Sequence, residues 1–495
     1  MQSIRSKRSV GAGLVGVVAL IGLLAGARVY AQPSNPSQTN EAATGVQTGT
    51  LAAPIARMTT SPSKATVGSQ VSFSATRLTP GSVVDLMWQT VQGGWVTRDY
   101  YRFEGKKYTE TETLLARFTV SDDGALEGGF VIPEDYGGMH NLVVVRNGTP
   151  VAQGAVEVTA SFEMNPQEGP VGTPVELRAR GLGWQTLESV WVLNWDNVEV
   201  GWISAAESRG SAVARFRATG PAGDHRIKVY SGYMGQSYLN FEQAPTAYLP
   251  RPEFVFRTTP GGTAPQAYAE PYQTQPIPAT ESSIGATLAL TPSQGAVQSQ
   301  TQLAGDGFPA GKTLSVVWQT MVGNRVSDTG FAPKETAIGT LNVDGQGKAA
   351  STISIPDDLG GLHAVVLKDG DEELARTYFV VETSIVSISP TSGPVGTPIT
   401  IHLKGVGWTE YDNILVADYD NAYMGYACGF NSQGDVVINF TAAGAPGTHL
   451  IDLYPGIYKG PAEGQQLYRL PQLTYADDHP GNKIPALRFA FTVTE

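Results

Sequence analysis

An internal duplication constrains this chain more than any other feature, because a repeated block must fold into a repeated unit. The segment Gly169–Pro174 (GPVGTP) recurs 224 residues later as Gly393–Pro398. The same offset carries Gly181–Trp184 (GLGW) onto Gly405–Trp408 (GVGW), Trp195-Asp196-Asn197 onto Tyr419-Asp420-Asn421, and His225 onto His449. Upstream, residues 131–140 (VIPEDYGGMH) match residues 354–363 (SIPDDLGGLH) at an offset of 223. Trp88-Gln89-Thr90 matches Trp318-Gln319-Thr320 at an offset of 230. The two offsets differ by seven, so the first copy holds about seven extra residues, around Tyr100, Tyr101, Phe103 and Tyr108. Each half divides again: Ser-, Asn- or Thr-Pro openings near Pro62, Pro166, Pro292 and Pro390 alternate with Gly-x-His closings at His140, His225, His363 and His449. The order is A-B-A-B, with units of roughly 100 residues, a common domain size.

Within a unit the apolar period is two. Residues 71–75 (VSFSA), 176–179 (ELRA), 213–217 (VARFR), 399–403 (ITIHL) and 436–440 (VVINF) all alternate, as strands with one buried face do. Asp123-Gly124, Asp344-Gly345 and Gln433-Gly434 punctuate these runs. With 57 Gly, 32 Pro and no long stretch of helical spacing after the N-terminus, the chain is all-β. We expect four tandem immunoglobulin-like β-sandwich domains, arranged as a duplicated two-domain block. Their bounds are residues 52–159, 160–257, 284–382 and 383–495. Residues 32–51 form a disordered linker. Residues 258–283, rich in Pro, Thr, Gln and Ala with no apolar period, form a flexible linker. Short linkers stiffen each pair, so the expected molecule is two stiff pairs on a tether.

The start of the chain predicts export. Arg5, Lys7 and Arg8 precede an uncharged run from Val10 to Ala27, and Val29-Tyr30-Ala31 offers a cleavage site after Ala31. Residues 1–31 are thus a signal peptide, with an uncleaved membrane anchor as the alternative. No Cys follows the run, unlike a lipoprotein signal. Cys428 is the only cysteine, so no internal disulfide forms, and we expect it buried. The net charge is −12, becoming −16 once the four cations Arg5, Lys7, Arg8 and Arg28 leave with the signal. That acidity excludes a basic nucleic-acid face and disfavours anionic membranes.

The run Ile388–Ile401 (ISPTSGPVGTPITI), followed by Gly405–Trp408, resembles the opening of an IPT/TIG domain. So does the second unit through residues 193–197 (LNWDN) and the closing 221–229 (PAGDHRIKV). The first and third units are looser relatives. The resemblance implies immunoglobulin-like sandwiches in a bacterial surface or extracellular protein, and it supplies no catalytic residues.

Three groups are candidate sites. Trp95, Tyr100, Tyr101, Phe103 and Tyr108 cluster in the insertion. They form either an exposed platform for a glycan or protein, or the apolar cover of their own hairpin. Asp196, Asn197, Asp418, Asp420 and Asn421 supply oxygens suited to calcium, but Asp-Asn also suits a tight hairpin turn, which is the expectation. Asp477 and Asp478, before His479, are a second calcium candidate. The four recurring histidines, one per unit, are expected to bond neighbouring loops. Trp88, Trp184, Trp318 and Trp408 are expected in cores or junctions. No G-x-S-x-G, H-E-x-x-H, phosphate-loop or paired-cysteine motif is present. The expected function is a non-catalytic exported structural or adhesive protein of the cell envelope, surface or periplasm. Its partners would be surface proteins or glycans, with self-assembly a further partner class. No cofactor is expected other than calcium. The alternative is a carbohydrate-binding protein using the first unit's aromatics.

Overall fold

The computed structural model describes residues 55–495 except 100, 234–235, 325–329, 430–432, 459–469 and 482. The proposed signal and the linker 32–51 lie outside the described residues. Alternation becomes burial as expected. In Gln70–Ala75 the residues Val71, Phe73 and Ala75 are buried between exposed or half-buried neighbours, and Pro174–Arg180 alternates strictly. The protein is all-β, built of immunoglobulin-like sandwiches.

In module one, Arg102–Thr119, Val83–Arg98, Gly138–Arg146 and Thr149–Val158 make one sheet in that order. Ala56–Ser61, Gln70–Ala75 and Leu126–Val131 make the other. Ala56–Ser61 joins both. Its first residues run parallel to Thr149–Val158, and its later ones pair antiparallel with Gln70–Ala75. The order recurs along the chain in modules two, three and four. Trp88 and Trp318 fill the first and third cores.

Within each half the two modules touch backbone to backbone. Gly137 donates its N–H to the Leu182 carbonyl (2.9 Å), and Gly360 donates to Val406 (3.1 Å). A Cβ on Gly137 would lie 2.0 Å from the Gly181 oxygen, and one on Gly360 would lie 2.0 Å from the Gly405 oxygen. The repeated Gly-Gly-x-His motif therefore marks a contact only glycine permits. The histidine rings lock the same corner. His140 stacks on Trp88 at 4.3 Å and bonds the Gln89 and Tyr136 carbonyls; His363 repeats this on Trp318, Gln319 and Leu359.

Three expectations are corrected. The 258–283 stretch is not a free tether. Ala267–Ala269 pairs antiparallel with Leu487–Val493 of module four, and Glu281–Ser282 pairs with Glu372–Glu382 of module three. Backbone pairing at a sheet edge needs no apolar period, so the composition does not announce it. Nor are the sandwiches self-contained. Pro471 and Leu473, in the long excursion before the last strand, bond Trp202 on one sheet of module two, and Leu473 accepts from Arg215 on the other. Tyr454, Leu473, Tyr475 and Ala486 complete module two's hydrophobic core. Cys428 ends an edge strand half-buried rather than buried.

Candidate functional site: an aromatic clasp and an open groove

The seven-residue insertion lengthens the hairpin of Val83–Arg98 and Arg102–Thr119, and its rings face protein. Trp95 is 8% and Phe103 3% exposed. Trp95 donates its indole N–H to the Asp478 carbonyl (2.6 Å), and its ring meets Phe103 at 5.6 Å and Trp202 of module two at 6.3 Å. Val190, Ala206 and Ile457 close this small core, which draws on modules one, two and four. The Phe103 N–H donates to Glu410 Oε2 (2.7 Å), and the Glu410 N–H donates to the Tyr101 carbonyl (2.9 Å). Tyr108 packs against Trp184 at 5.8 Å and Tyr136 at 5.6 Å. Tyr100 lies outside the described residues. Of the two readings of the insertion, exposed platform or cover of its own hairpin, neither describes Trp95 and Phe103, which join a clasp between the two halves. Sequence shows the rings; it does not show that another module covers them, where burying such large apolar surfaces is most favourable.

The Asp-Asn pairs are hairpin turns. Asp196 and Asn197 have φ of 49° and 69°, and Asp420 and Asn421 have 51° and 62°, the left-handed values of a two-residue hairpin loop. The aspartate oxygens are occupied. Asp196 bonds His225 Nδ1 (2.5 Å) and accepts from the Arg226 N–H; Asp420 bonds His449 Nδ1 (2.5 Å) and accepts from Leu450 N–H and Thr219 Oγ1. Burial pulls the His449 imidazole down, but the Ala445 carbonyl and the Asp420 carboxylate outweigh it, so its pKa is raised. Asn421 donates to the Arg217 carbonyl (2.9 Å).

Asp477 accepts from Val213 N–H and Arg215, while buried Asp478 accepts from Glu207 N–H (2.6 Å) and Ser204 Oγ (2.5 Å). Burial pushes the Asp478 carboxyl up to about 6. Among the described residues no three His, Cys, Asp or Glu side chains converge on an ion position. The structure does not bring the proposed calcium ligands together, because backbone N–H donors and neighbouring side chains already hold most of them. The Asn421 amide oxygen and Asp418 are exceptions, Asp418 being 1% exposed with neither oxygen hydrogen-bonded. Burial and the adjacent Asp452 hold its pKa well above the ordinary carboxylate value.

A buried ionic row lies beside Asp418, and sequence reasoning missed it. Arg217 of module two reaches Asp452 Oδ1 at 2.5 Å and donates to the Phe489 carbonyl (2.7 Å). Arg488 lies 3.3 Å from Asp452 Oδ2 and donates to Glu270 Oε1 through Nε (2.9 Å) and Nη2 (2.7 Å). Asp418, Asp452 and Arg488 are direct cross-strand partners. The signal was a charge inside an otherwise apolar run, as in residues 450–454 (LIDLY) and 487–491 (LRFAF). The near-continuous apolar run fits a strand covered on both faces, and a charge within it then needs an interior partner.

A groove of about 440 Å³ crosses the outer face of module three's larger sheet, walled by Tyr378 and by Trp408 of module four. Phe331 meets Trp408 at 5.5 Å, repeating the Tyr108–Trp184 contact. The polar rim is pre-set. Arg376 forks onto Glu373 (2.6 and 2.7 Å), and Glu335 accepts from Lys368 (2.6 Å) and Gln319 (2.8 Å). The bonds from Lys368, then Gln319, depress the Glu335 carboxyl. At the offset of 223, Tyr378, Arg376 and Lys334 correspond to Ala155, Gln153 and Thr111 of module one. The duplicated face therefore carries this ring and these two cations in one copy only.

No family model matches this chain, and no curated protein matches it. Among solved structures, an ectodomain fragment of ICAM-5 aligns over 89% of this chain and 100% of its own, at 13% identity and TM-score 0.19. An adhesin of Escherichia coli, FdeC, aligns over 66% of this chain and 96% of its own, at 14% identity and TM-score 0.16. A Salmonella alpha-2-macroglobulin aligns over 81% of this chain, at 10% identity and TM-score 0.18, and the chain spans only 29% of that protein. Superpositions this partial carry no function to this chain, whose fold rests on its own strand pairing.

Proposed function

We propose that this chain is a non-catalytic, exported surface protein whose modules, the second and fourth of IPT/TIG type, are clasped into a rigid platform that presents the module-three groove to a surface partner. The observation that carries this reading is the placement of Trp408. It is flanked by Phe331 of its own half and Tyr101 of the other, and it forms one wall of the groove. Locking the halves therefore sets the geometry of the groove, an economical use of a clasp that has no chemistry of its own. Export is supported by the basic and then apolar start of the sequence. No helix among the described residues is long and apolar enough to cross a membrane.

A glycan is the partner class that the groove's composition favours, since two aromatic walls with a rim of Gln319, Glu335 and Arg376 suit stacking on a sugar with hydrogen bonds to its hydroxyls. This moves the carbohydrate reading from module one to module three. The test joins cell fractionation with a glycan array probed by the purified chain. Surface localisation and binding lost in Tyr378→Ala are expected. A cytosolic protein, or glycan binding that Tyr378→Ala leaves intact, would overturn the reading.

A further inference from the structure

A second cleft, of about 450 Å³, opens where modules one, two and four meet. Arg178 and Arg180 enter it from the strand Pro174–Arg180, Glu134 from module one, Ser208 and Ser211 from module two, and Lys483 from module four. Residues two apart on a strand share a face, so both guanidiniums project to the same side. Both are exposed, and among the described residues neither comes within ion-pair distance of a carboxylate nor donates a side-chain hydrogen bond. The other charges lining the cleft are largely answered. Asp477 is met by Arg215 (3.2 Å) and the Val213 N–H, and Lys483 by Glu207 (2.9 Å) and the His479 carbonyl (2.6 Å). The Ser208 and Ser211 hydroxyls are buried with no hydrogen-bond partner. A χ1 rotation would offer either to a ligand.

We propose that this cleft binds an oxyanion carried on a polyhydroxylated ring, a uronic acid or a sugar phosphate. Two guanidinium forks held in no ion pair match carboxylate or phosphate oxygens, with Glu163 the cross-strand neighbour of Arg178. Glu134 repels a bare polyanion but accepts from ring hydroxyls, as the serine oxygens also can. The volume falls in the range of small-ligand sites. Because the walls come from three modules, the ligand binds the clasped form and raises its melting temperature by mass action.

The test titrates the full chain calorimetrically with glucuronate, glucose 6-phosphate, glucose and inorganic phosphate, and follows melting in parallel. Glucuronate or glucose 6-phosphate is expected to bind and to raise the melting temperature, with glucose silent; the tighter of the two anions identifies the source. Arg178→Ala/Arg180→Ala should weaken binding at least about tenfold, as expected for lost charge-assisted forks. Both side chains are exposed, so the ligand-free melting temperature should be unchanged. Arg178→Lys/Arg180→Lys keeps the charge and removes the forks, giving a second reading should the alanine variant misfold. Tyr378→Ala should bind as the parent does, which separates this cleft from the module-three groove. The proposal is overturned if neither sugar anion binds, or if binding survives both double variants. It is also overturned if inorganic phosphate binds as tightly as the sugar anions.

Discussion

Tyr101 of the first module and Trp408 of the fourth lie with ring centroids 5.4 Å apart and planes 31° from parallel, although 307 residues separate them. This contact, with the Phe103–Glu410 hydrogen bond beside it, joins halves that the duplication suggests are independent. Both contacts are ones the repeat lacks, since the hairpin tip that makes them exists in one copy only; the Pro471–Leu473 excursion and the Arg217–Asp452 pair join the halves beside it.

Trp95→Ala should loosen that clasp. It removes a buried ring and its hydrogen bond to the Asp478 carbonyl. A cost of about 3–5 kcal/mol is expected for so large a truncation, read as a lower urea midpoint. New sites of limited proteolysis should appear in the 457–486 excursion. A parent-like midpoint would mean the ring does not hold the junction.

Gly360→Ala should separate modules three and four locally. Its Cβ would sit 2.0 Å from the Gly405 oxygen, and backbone on both sides cannot yield as a flexible side chain can. We expect destabilisation of more than about 2 kcal/mol, in the range of overpacking and backbone strain. Gly339→Ala, where a Cβ meets nothing within 4 Å, should cost little beyond normal strand variation.

Arg217→Ala should be costly and partly repairable. It leaves Asp452 buried beside Asp418 with one cation fewer, a defect of about 3–5 kcal/mol. Removing the stranded charge as well, in Arg217→Ala/Asp452→Asn, should recover much of the loss. A double-mutant cycle measures the coupling; additive losses would show that the two residues do not communicate.

Acidification should weaken the junction through His479. Burial lowers this imidazole to about 3 in the folded chain against an ordinary 6.5. Between those values the unfolded chain binds the extra proton, so stability falls as pH drops from about 6.5 toward 3. Neighbouring Asp478 acts the other way: its pKa of about 6 stands above the ordinary 3.8, and its contribution weakens as pH rises through that interval. The histidine shift is the larger, so net loss on acidification is expected. His479→Gln leaves the opposing Asp478 contribution alone and should remove or reverse the acid-side fall of the urea midpoint, and Asp478→Asn should steepen it.

The sandwiches were legible because a strand writes its buried face into every second residue, as Val71, Phe73 and Ala75 do. The turns at Asp196-Asn197 and Asp420-Asn421 were legible because few residues accept a left-handed backbone. The clasp was not. Whether Trp95 and Phe103 meet solvent or another module depends on residues some hundred to almost four hundred positions away. Ala267–Ala269 joins module four through its backbone, which leaves no side-chain signature. Asp452 and Arg488 did leave one, charges set in apolar strands, but it reads as a second covered face only once the covering module is known. The module-three groove was equally hidden, since Tyr378 and Arg376 gain meaning only beside their paralogous Ala155 and Gln153.

Leu473 and Tyr475 sit in the core of module two, yet the ribosome adds them more than two hundred residues after that module's own last strand, Glu253–Thr259. Until they arrive, module two has a gap between its sheets where Trp202 and Arg215 await their backbone partners. Module two's core is therefore completed from the far end of the chain: without residues 471–475 an apolar slot would lie open midway along its length.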